Sequence, residues 1–138
     1  MAGYSGKLLA AKLGIKPGMR VVLLGAPDAL DALLAPLPDG VTVSHSLTGV
    51  AGAPFLHYFT TQQAQLQADF AALKAALAPD GMLWISWPKR ASKVATDLDE
   101  NVIRATGLAH GLVDVKVAAV DETWSALKFV YRVADRPR

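Results

Sequence analysis

Two almost uninterrupted apolar runs limit the folds open to this chain more than any other feature. They extend from Met19 to Leu24 and from Met82 to Trp87. Runs of this kind are typical of strands that are covered on both faces, as in a parallel sheet with helices on either side. With 52% hydrophobic residues and a net charge of only +2, the 138-residue chain can bury such a core, which argues against disorder.

The segments around these runs alternate between helix and strand. Caps and apolar spacing predict helices over Ser5–Leu13, Ala29–Ala35, Gln62–Ala78 and Thr96–Thr106, strands over Val41–Ser44 and Phe55–Thr60, and a hairpin over Leu112–Val120 and Ser125–Val133. Gly107 is expected just past the end of the last helix. Because right-handed crossovers connect such units, we predict one three-layer, Rossmann-like α/β domain over residues 1–138, with a mostly parallel sheet of about six strands and an antiparallel hairpin at its end.

This order of elements resembles the fold of class I S-adenosylmethionine-dependent methyltransferases. Leu13–Gly25 looks like the first motif of that family, and Leu73–Leu83 looks like its helix-to-strand motif. A closer resemblance, to a group of small bacterial proteins described only as a domain of unknown function, is carried by Gly3–Lys7, Trp84–Lys89, Gly111–Lys116 and Asp121–Val130. The first resemblance implies a fold and a cofactor, whereas the second implies no activity.

The positions that would hold the cofactor in the methyltransferase family are altered here. Leu23 stands where the family has an acidic residue, and Gly25-Ala26-Pro27 replaces its glycine-rich loop. Pro27 lacks an N–H donor, and Asp28 places a negative charge at the start of the next helix, where it can occupy the N–H groups that would receive an anion. Ser44-His45-Ser46, where the second acidic residue of the family would fall, contains no carboxylate. We therefore expect no cofactor, with S-adenosylmethionine disfavoured.

The connection between the second and third predicted strands is short. Ser46–Pro54 has nine residues, fewer than the dozen or so of a parallel crossover, whereas a standard methyltransferase has a further strand and helix in this interval. An edge strand is therefore expected to be missing. The connection must pass over the carboxyl ends of the strands or along one face, where it could fill the space of the cofactor's adenosine.

A ligand site in an open α/β sheet lies beyond the carboxyl ends of its strands. The residues expected there, and taken as binding candidates, are Gly25, Pro27, Asp28, Thr60, Trp87, Lys89, Lys93, Asp121, Glu122 and Trp124. An indole could stack on a ring while Lys89, Arg90 or Lys93 meets a phosphate or carboxylate. In the alternative interpretation Trp84 and Trp87 belong to the core, and the charged residues form solvated loops and turns.

Catalytic residues are not identified by any motif. The chain has no cysteine, and His45, His57 and His110 have no second ligand at helical spacing, so no metal site is predicted. His57 is interpreted as an interior imidazole or a polar group at the end of a strand. The serines lack a Gly-x-Ser-x-Gly elbow, which gives no support to a hydrolase.

The final hairpin alternates apolar and polar residues. Val113, Val115 and Val117 are expected on a core face, and the opposite, partly charged face is either solvated or a contact surface for a second copy of the chain. No secretory signal or membrane span is recognised, so a cytoplasmic location is expected.

Three functions remain open from the sequence. The favoured one is a degenerate methyltransferase-like domain without methyl transfer activity that acts as a small binding or interaction module. The alternatives are a methyltransferase with an altered cofactor pocket, and a binder of anions, nucleotides or nucleic acid that uses the loop Trp87–Lys93.

Overall fold

In the computed structural model, residues 8–136 are described, and a six-stranded sheet occupies their centre. The strands are β1 (Arg20–Leu24), β2 (Thr42–Ser44), β3 (Ala53–Phe59), β4 (Leu77–Pro88), β5 (Leu112–Ala119) and β6 (Trp124–Tyr131). The helices are α1 (Leu9–Leu13), α2 (Leu30–Leu34), α3 (Gln63–Ala76) and α4 (Glu100–Ala109), with 3-10 turns at Arg90–Ser92 and Val133–Asp135. Ser5, the predicted start of the first helix, and the segment Gly3–Lys7 lie outside the described residues.

The strand order is β2-β1-β3-β4-β6-β5. The first four strands of this order are parallel, and β6 runs antiparallel to both β4 and β5. The predicted α/β fold class with its C-terminal hairpin is confirmed. Within the described part of the chain β2 forms one edge of the sheet, which agrees with the expected loss of an edge strand.

Both faces of the parallel strands are buried, which explains the apolar run of β1. Val22 packs into the core on the face of α3 and α4, whereas its neighbours Val21 and Leu23 pack on the face of α1 and α2. Since successive strand residues point to opposite faces, each residue of the run has apolar neighbours. Leu23, at the position of the family's acidic residue, is thus a core residue that is 1% exposed.

The boundary between α3 and β4 differs from the prediction. The helix ends at Ala76, and β4 begins directly at Leu77, which pairs with Ala53. The register of β3 and β4 then shifts between Ala53 and Phe55, and Pro79 and Asp80 are exposed. A proline is tolerated in such an irregular stretch because the ladder is interrupted there. The residues between the predicted helix and the apolar run Met82–Trp87 are therefore part of a twelve-residue strand.

Both ends of the last helix also differ from the prediction. The backbone N–H of Val102 donates to Asp99 Oδ1 over 2.8 Å, so Asp99 is the N-cap, while the Thr96 hydroxyl donates to the carbonyl oxygen of Thr61. Gly107 lies inside α4 rather than beyond it. A Cβ atom at Gly107 would overlap the ring of Phe129, so glycine is required for the close packing of α4 on the sheet.

The hairpin does not bury the valines that its alternation suggests. The register shifts between Asp114 and Lys116, and Val115 and Val117 are 53% and 45% exposed. A bulge changes which residues face the core, which sequence alternation alone does not reveal. The prediction that these two valines face the core is wrong, and the proposed contact with a second copy stays a prediction. Among residues 8–136, no helix is long and apolar enough to cross a membrane.

Candidate functional site

Two cavities lie near the carboxyl ends of the parallel strands. The first, here called the edge cavity, has a volume of about 300 Å³ and is lined by Leu24, Gly25, Leu47, Tyr58, Phe59, Gln65, Asp69, Ala72 and Leu73. The second, here called the basic groove, has a volume of about 680 Å³ and is lined by Trp87–Arg90, Lys93–Glu100 and Ser125. Pockets for small molecules usually measure roughly 300–1,000 Å³, so both are large enough for a ligand.

Gly25 positions the edge cavity because it lets the chain turn closely against the end of β3. Its φ angle is +65°, and a Cβ atom there would lie 2.6 Å from the carbonyl oxygen of Phe59. Only glycine adopts this backbone conformation without steric cost. The ends of β1 and β3 therefore approach each other at Gly25.

Polar groups from β3 and α3 enter the same cavity. The hydroxyl of Tyr58 donates to Asp69 Oδ2 over 2.5 Å. Burial and the neighbouring carboxylate raise the pKa of Tyr58 well above its usual value, so the hydroxyl keeps its proton. The wall thus offers a carboxylate and an adjacent phenol.

Tyr58, Gln65 and Asp69 were not among the sequence candidates. Asp69 comes three residues after Leu66 and four before Leu73, and therefore lies on the apolar face of α3. An acidic residue at that spacing was the one available signal.

The connection between β2 and β3 forms another wall of the edge cavity. Leu47 and Val50 are partly buried and pack against the core on the α3 side, and Arg20 Nη2 donates to the carbonyl oxygen of Ala51 over 3.1 Å. The connection thus runs along one face of the sheet, which is one of the two expected routes. It restricts the space beside Gly25 rather than filling it.

Three sequence candidates near this edge differ in the hydrogen bonds that they form. The Thr60 hydroxyl donates to Gln65 Oε1 over 2.6 Å and accepts from the backbone N–H of Gln62, which orders the start of α3. The carbonyl of Pro27 accepts from the N–H of Leu30. Asp28 is exposed and makes no side-chain hydrogen bond among the described residues, so the expectation that it occupies the first N–H groups of α2 is wrong.

The two tryptophans proposed for one site lie on opposite faces of the sheet. Trp87 is 6% exposed, belongs to the core on the α4 side and lines the basic groove. Trp124 packs edge-on against Phe59 on the other face, with ring centroids 5.2 Å apart. Trp87 pairs with Ser125 and Pro88 pairs with Trp124, so the two indoles come from adjacent positions of the ladder that point in opposite directions.

The acidic tip of the hairpin forms a turn. Asp121 Oδ1 accepts from the N–H groups of Thr123 and Trp124, each over 2.8 Å. Glu122 is exposed. Neither carboxylate is among the residues lining the two cavities, whereas Lys89 and Lys93 both line the basic groove.

His57 is an interior imidazole, which is one of the two interpretations of its sequence context. It is fully buried, its Nε2 lies 2.6 Å from the hydroxyl of Ser86, and its ring stacks on Phe59. Its Nδ1 has no hydrogen-bond partner within the part of the chain that the structure describes. Burial lowers the pKa of His57 to about 3, so the ring is neutral.

No family model matches this chain, and no curated protein matches its sequence. Among solved structures, the chain is similar to an S-adenosylmethionine-dependent methyltransferase from Aquifex aeolicus, with a TM-score of 0.62 and 14% identity over 88% of this chain and 86% of that chain. It is also similar to fibrillarin from Aeropyrum pernix with natively bound S-adenosylmethionine, with a TM-score of 0.54 and 18% identity over 88% of this chain and 73% of that chain. A third similar structure is magnesium protoporphyrin IX methyltransferase from Synechocystis with bound S-adenosylmethionine, with a TM-score of 0.56 and 13% identity over 90% and 74% of the two chains.

At these identities the similarity establishes the fold, which is the methyltransferase-like, Rossmann-like fold that the first sequence resemblance implies. The expectation that the chain has no cofactor is wrong, because solved structures with a similar fold hold S-adenosylmethionine. Leucine at position 23 and the absence of a carboxylate at positions 44–46 are departures from the motifs of the methyltransferase family, and they are not grounds for excluding a cofactor. The resemblance to the domain of unknown function brings no activity with it.

Proposed function

We propose that this chain is an S-adenosylmethionine-dependent methyltransferase with an altered cofactor pocket, located at the edge cavity. The observation that carries the proposal is a cavity of about 300 Å³ beside Gly25, at the ends of β1 and β3, in a fold shared with methyltransferases. This is the edge of the sheet at which open α/β folds bind their ligands.

The residues around the edge cavity suit the chemical groups of such a cofactor. Asp69 offers a carboxylate oxygen that can accept from ribose hydroxyls or from an ammonium group, and it lies beside the Tyr58 hydroxyl. Leu47 and Leu73 give apolar contacts for an adenine ring. In this pocket α3 supplies the carboxylate that the family takes from the ends of its first two strands.

The bound cofactor would supply an electrophilic methyl group on a sulfonium ion. The chain's own contribution is to hold the adenosine between Leu47 and α3, and to let the backbone at Gly25 lie close to it. Asp69 is the group that orients it, and the protonated Tyr58 keeps the Asp69 carboxylate in place.

A binding module that keeps the fold without transferring a methyl group is the second candidate. It is favoured by the buried Leu23, which leaves the end of β1 without a carboxylate. Methyl transfer and cofactor binding can be measured separately. A binding module would release no S-adenosylhomocysteine when it is supplied with S-adenosylmethionine and a deproteinised cell extract.

Binding calorimetry with S-adenosylmethionine and S-adenosylhomocysteine tests the proposal. We expect saturable heat with both ligands, and an affinity at least about tenfold lower in Asp69→Asn, since a hydrogen bond to a charged group contributes roughly 1.5–3 kcal/mol. Asp80→Asn is the matched control, because Asp80 is exposed in the irregular part of β4 and does not line the edge cavity. Absence of heat at millimolar ligand, or equal weakening by both variants, would contradict the proposal.

A further inference from the structure

The basic groove is a second concave site, beyond the carboxyl end of β4. Its lining includes Trp87, which is 6% exposed, together with residues of the loop after β4 and of the segment that enters α4. The volume of about 680 Å³ is within the range of small-molecule pockets. Its lining residues are distinct from those of the edge cavity, so its occupant need not be the same ligand.

The loop after β4 contributes three cations to the lining of the basic groove. Lys89, Arg90 and Lys93 lie within five consecutive positions and all line the groove. Across residues 8–136, none of the three forms an ion pair with a carboxylate. Their positive charges therefore have no local partner within the described chain.

The groove is also lined by three carboxylates, and the side chain of each has a hydrogen-bond donor or an ion-pair partner. Asp97 Oδ1 accepts from the backbone N–H of Gln63 over 2.7 Å, at the start of α3. Asp99 caps α4 and thus faces the positive end of the helix dipole.

Glu100 Oε2 forms an ion pair with Arg104 over 2.6 Å, and Arg104 also pairs with Asp114 over 2.9 Å. Within the described residues, the groove cations that have no ion-pair partner are Lys89, Arg90 and Lys93, which favours an anion beside them.

The loop that presents these cations is held by hydrogen bonds. The N–H of Lys89 donates to the carbonyl of Thr123 over 2.7 Å, and the Ser92 hydroxyl donates to the carbonyl of Lys89 over 2.6 Å. The Ser92 hydroxyl also accepts from the N–H of Val94. The backbone from Lys89 to Val94 is therefore ordered before any ligand arrives, which lowers the entropy lost on binding.

Lys93 has a backbone conformation that disfavours lysine. Its φ angle is +61°, and it is the one non-glycine residue with a positive φ among those described. Glycine would adopt this conformation without strain. A lysine here costs free energy, which is consistent with a use for its ammonium group in the groove.

We propose that the basic groove binds a small organic anion, a phosphate or carboxylate attached to an apolar body. Lys89, Arg90 and Lys93 bind the anionic group, and the apolar body lies against Trp87. The proposal goes beyond the methyl donor at the edge cavity and does not depend on it.

Amide NMR titrations at constant ionic strength test this proposal with phenyl phosphate, benzoate and the uncharged benzyl alcohol. We expect saturable shifts of the Trp87 indole N–H and of the amides from 89 to 93 with at least one of the two anions, and none with the alcohol. Whichever anion binds more tightly distinguishes a phosphate ligand from a carboxylate ligand.

The triple variant Lys89→Gln, Arg90→Gln, Lys93→Gln should bind that anion at least tenfold more weakly. The matched control is Lys16→Gln, Arg132→Gln, Arg136→Gln, which removes the same charge from exposed positions outside the groove and should bind like the wild type. Absence of saturable shifts, equal weakening in the two triple variants, or equal binding of benzyl alcohol would overturn the proposal.

A ten-residue thymidine oligonucleotide serves as a further probe. Binding of this strand at least a hundredfold tighter than phenyl phosphate, with a steep decrease on adding salt, would overturn the small-anion proposal in favour of nucleic acid. Oligonucleotide binding no tighter than that of phenyl phosphate supports the proposal. S-Adenosylmethionine binding is measured separately on the same samples, so failure of either proposal is seen independently of the other.

Discussion

The backbone of Gly25 lies against the carbonyl oxygen of Phe59, so closely that a Cβ atom at position 25 would be 2.6 Å from that oxygen. Gly25 follows β1 and Phe59 ends β3, so this contact joins two neighbouring strands beside the edge cavity. The positive φ of Gly25 is a second, separate reason for glycine. Packing thus requires glycine at this position even before any ligand is considered.

Replacing Gly25 should destabilise the fold more than replacing a glycine with the same φ and no neighbours. Gly52 has a φ of +68° and nothing within 4 Å of its ideal Cβ position. Gly25→Ala and Gly52→Ala share the cost of a left-handed alanine, of about 1 kcal/mol, and only Gly25→Ala adds a clash with backbone. We expect a further loss of about 1–3 kcal/mol in Gly25→Ala, measured as the free energy of unfolding in urea. An equal decrease in the free energy of unfolding in the two variants would show that the contact with Phe59 does not affect stability.

Buried His57 should make the stability depend on pH. Its pKa is about 3 in the folded protein and about 6.5 when the chain is unfolded, so between these values the unfolded state binds the extra proton. The contribution of neutral His57 to the free energy of unfolding is complete above pH 6.5 and is lost as the pH falls towards 3. Between these values the free energy of unfolding changes with a slope that approaches about 1.4 kcal/mol per pH unit.

Urea unfolding of wild type and His57→Gln between pH 7 and 4 measures this dependence, since glutamine can still bond to Ser86 but does not titrate. The slope should be shallower in His57→Gln than in the wild type. The same slope in wild type and His57→Gln would contradict the burial of a neutral imidazole.

Gly107 should reverse the usual ranking of glycine and alanine in helices. Alanine is normally more stable there than glycine by about 1 kcal/mol, but a Cβ atom at position 107 would overlap the ring of Phe129. We expect Gly107→Ala to lower the free energy of unfolding by about 1–3 kcal/mol, with partial recovery when Phe129→Leu is added. At exposed Ala105 in the same helix, Ala105→Gly should show the ordinary loss of about 1 kcal/mol. Stabilisation by Gly107→Ala would refute the close packing of α4 on β6.

Two substitutions of Lys93 should differ in their effect on stability and agree in their effect on ligand binding. Lys93→Gly relieves the left-handed lysine and should raise the free energy of unfolding by about 1 kcal/mol, while Lys93→Gln should leave it nearly unchanged. Both variants should weaken the binding of the anion that the basic groove prefers, because both lack the ammonium group. If Lys93→Gly bound that anion as well as the wild type does, the ammonium would have no part in the groove.

The sheet was predictable because burial on both faces leaves a clear trace in the sequence. Apolar runs such as Met82–Trp87 identify the central strands, and the small-residue connection after β2 indicates the missing edge strand. Boundaries that depend on distant partners were not predictable. Leu77 is in a strand because it pairs with Ala53, and Gly107 is in a helix because it contacts Phe129, and neither partner is close in sequence.

The candidate site was only partly predictable for the same reason. Gly25 and Lys89 follow strands, and the general position of ligand sites in this fold singles them out. Tyr58 and Asp69 are eleven positions apart and meet only when α3 packs on β3. The position of Trp87 and Trp124 at strand ends predicts a shared site, but the alternation of the ladder turns the two side chains to opposite faces.

The most direct test of cofactor binding at the edge cavity is a crystal structure grown with millimolar S-adenosylhomocysteine. We predict density for the ligand beside Gly25, with a polar atom within hydrogen-bonding distance of Asp69. Density for this ligand in the basic groove, or an edge cavity that is open to solvent channels and shows none, would contradict the account.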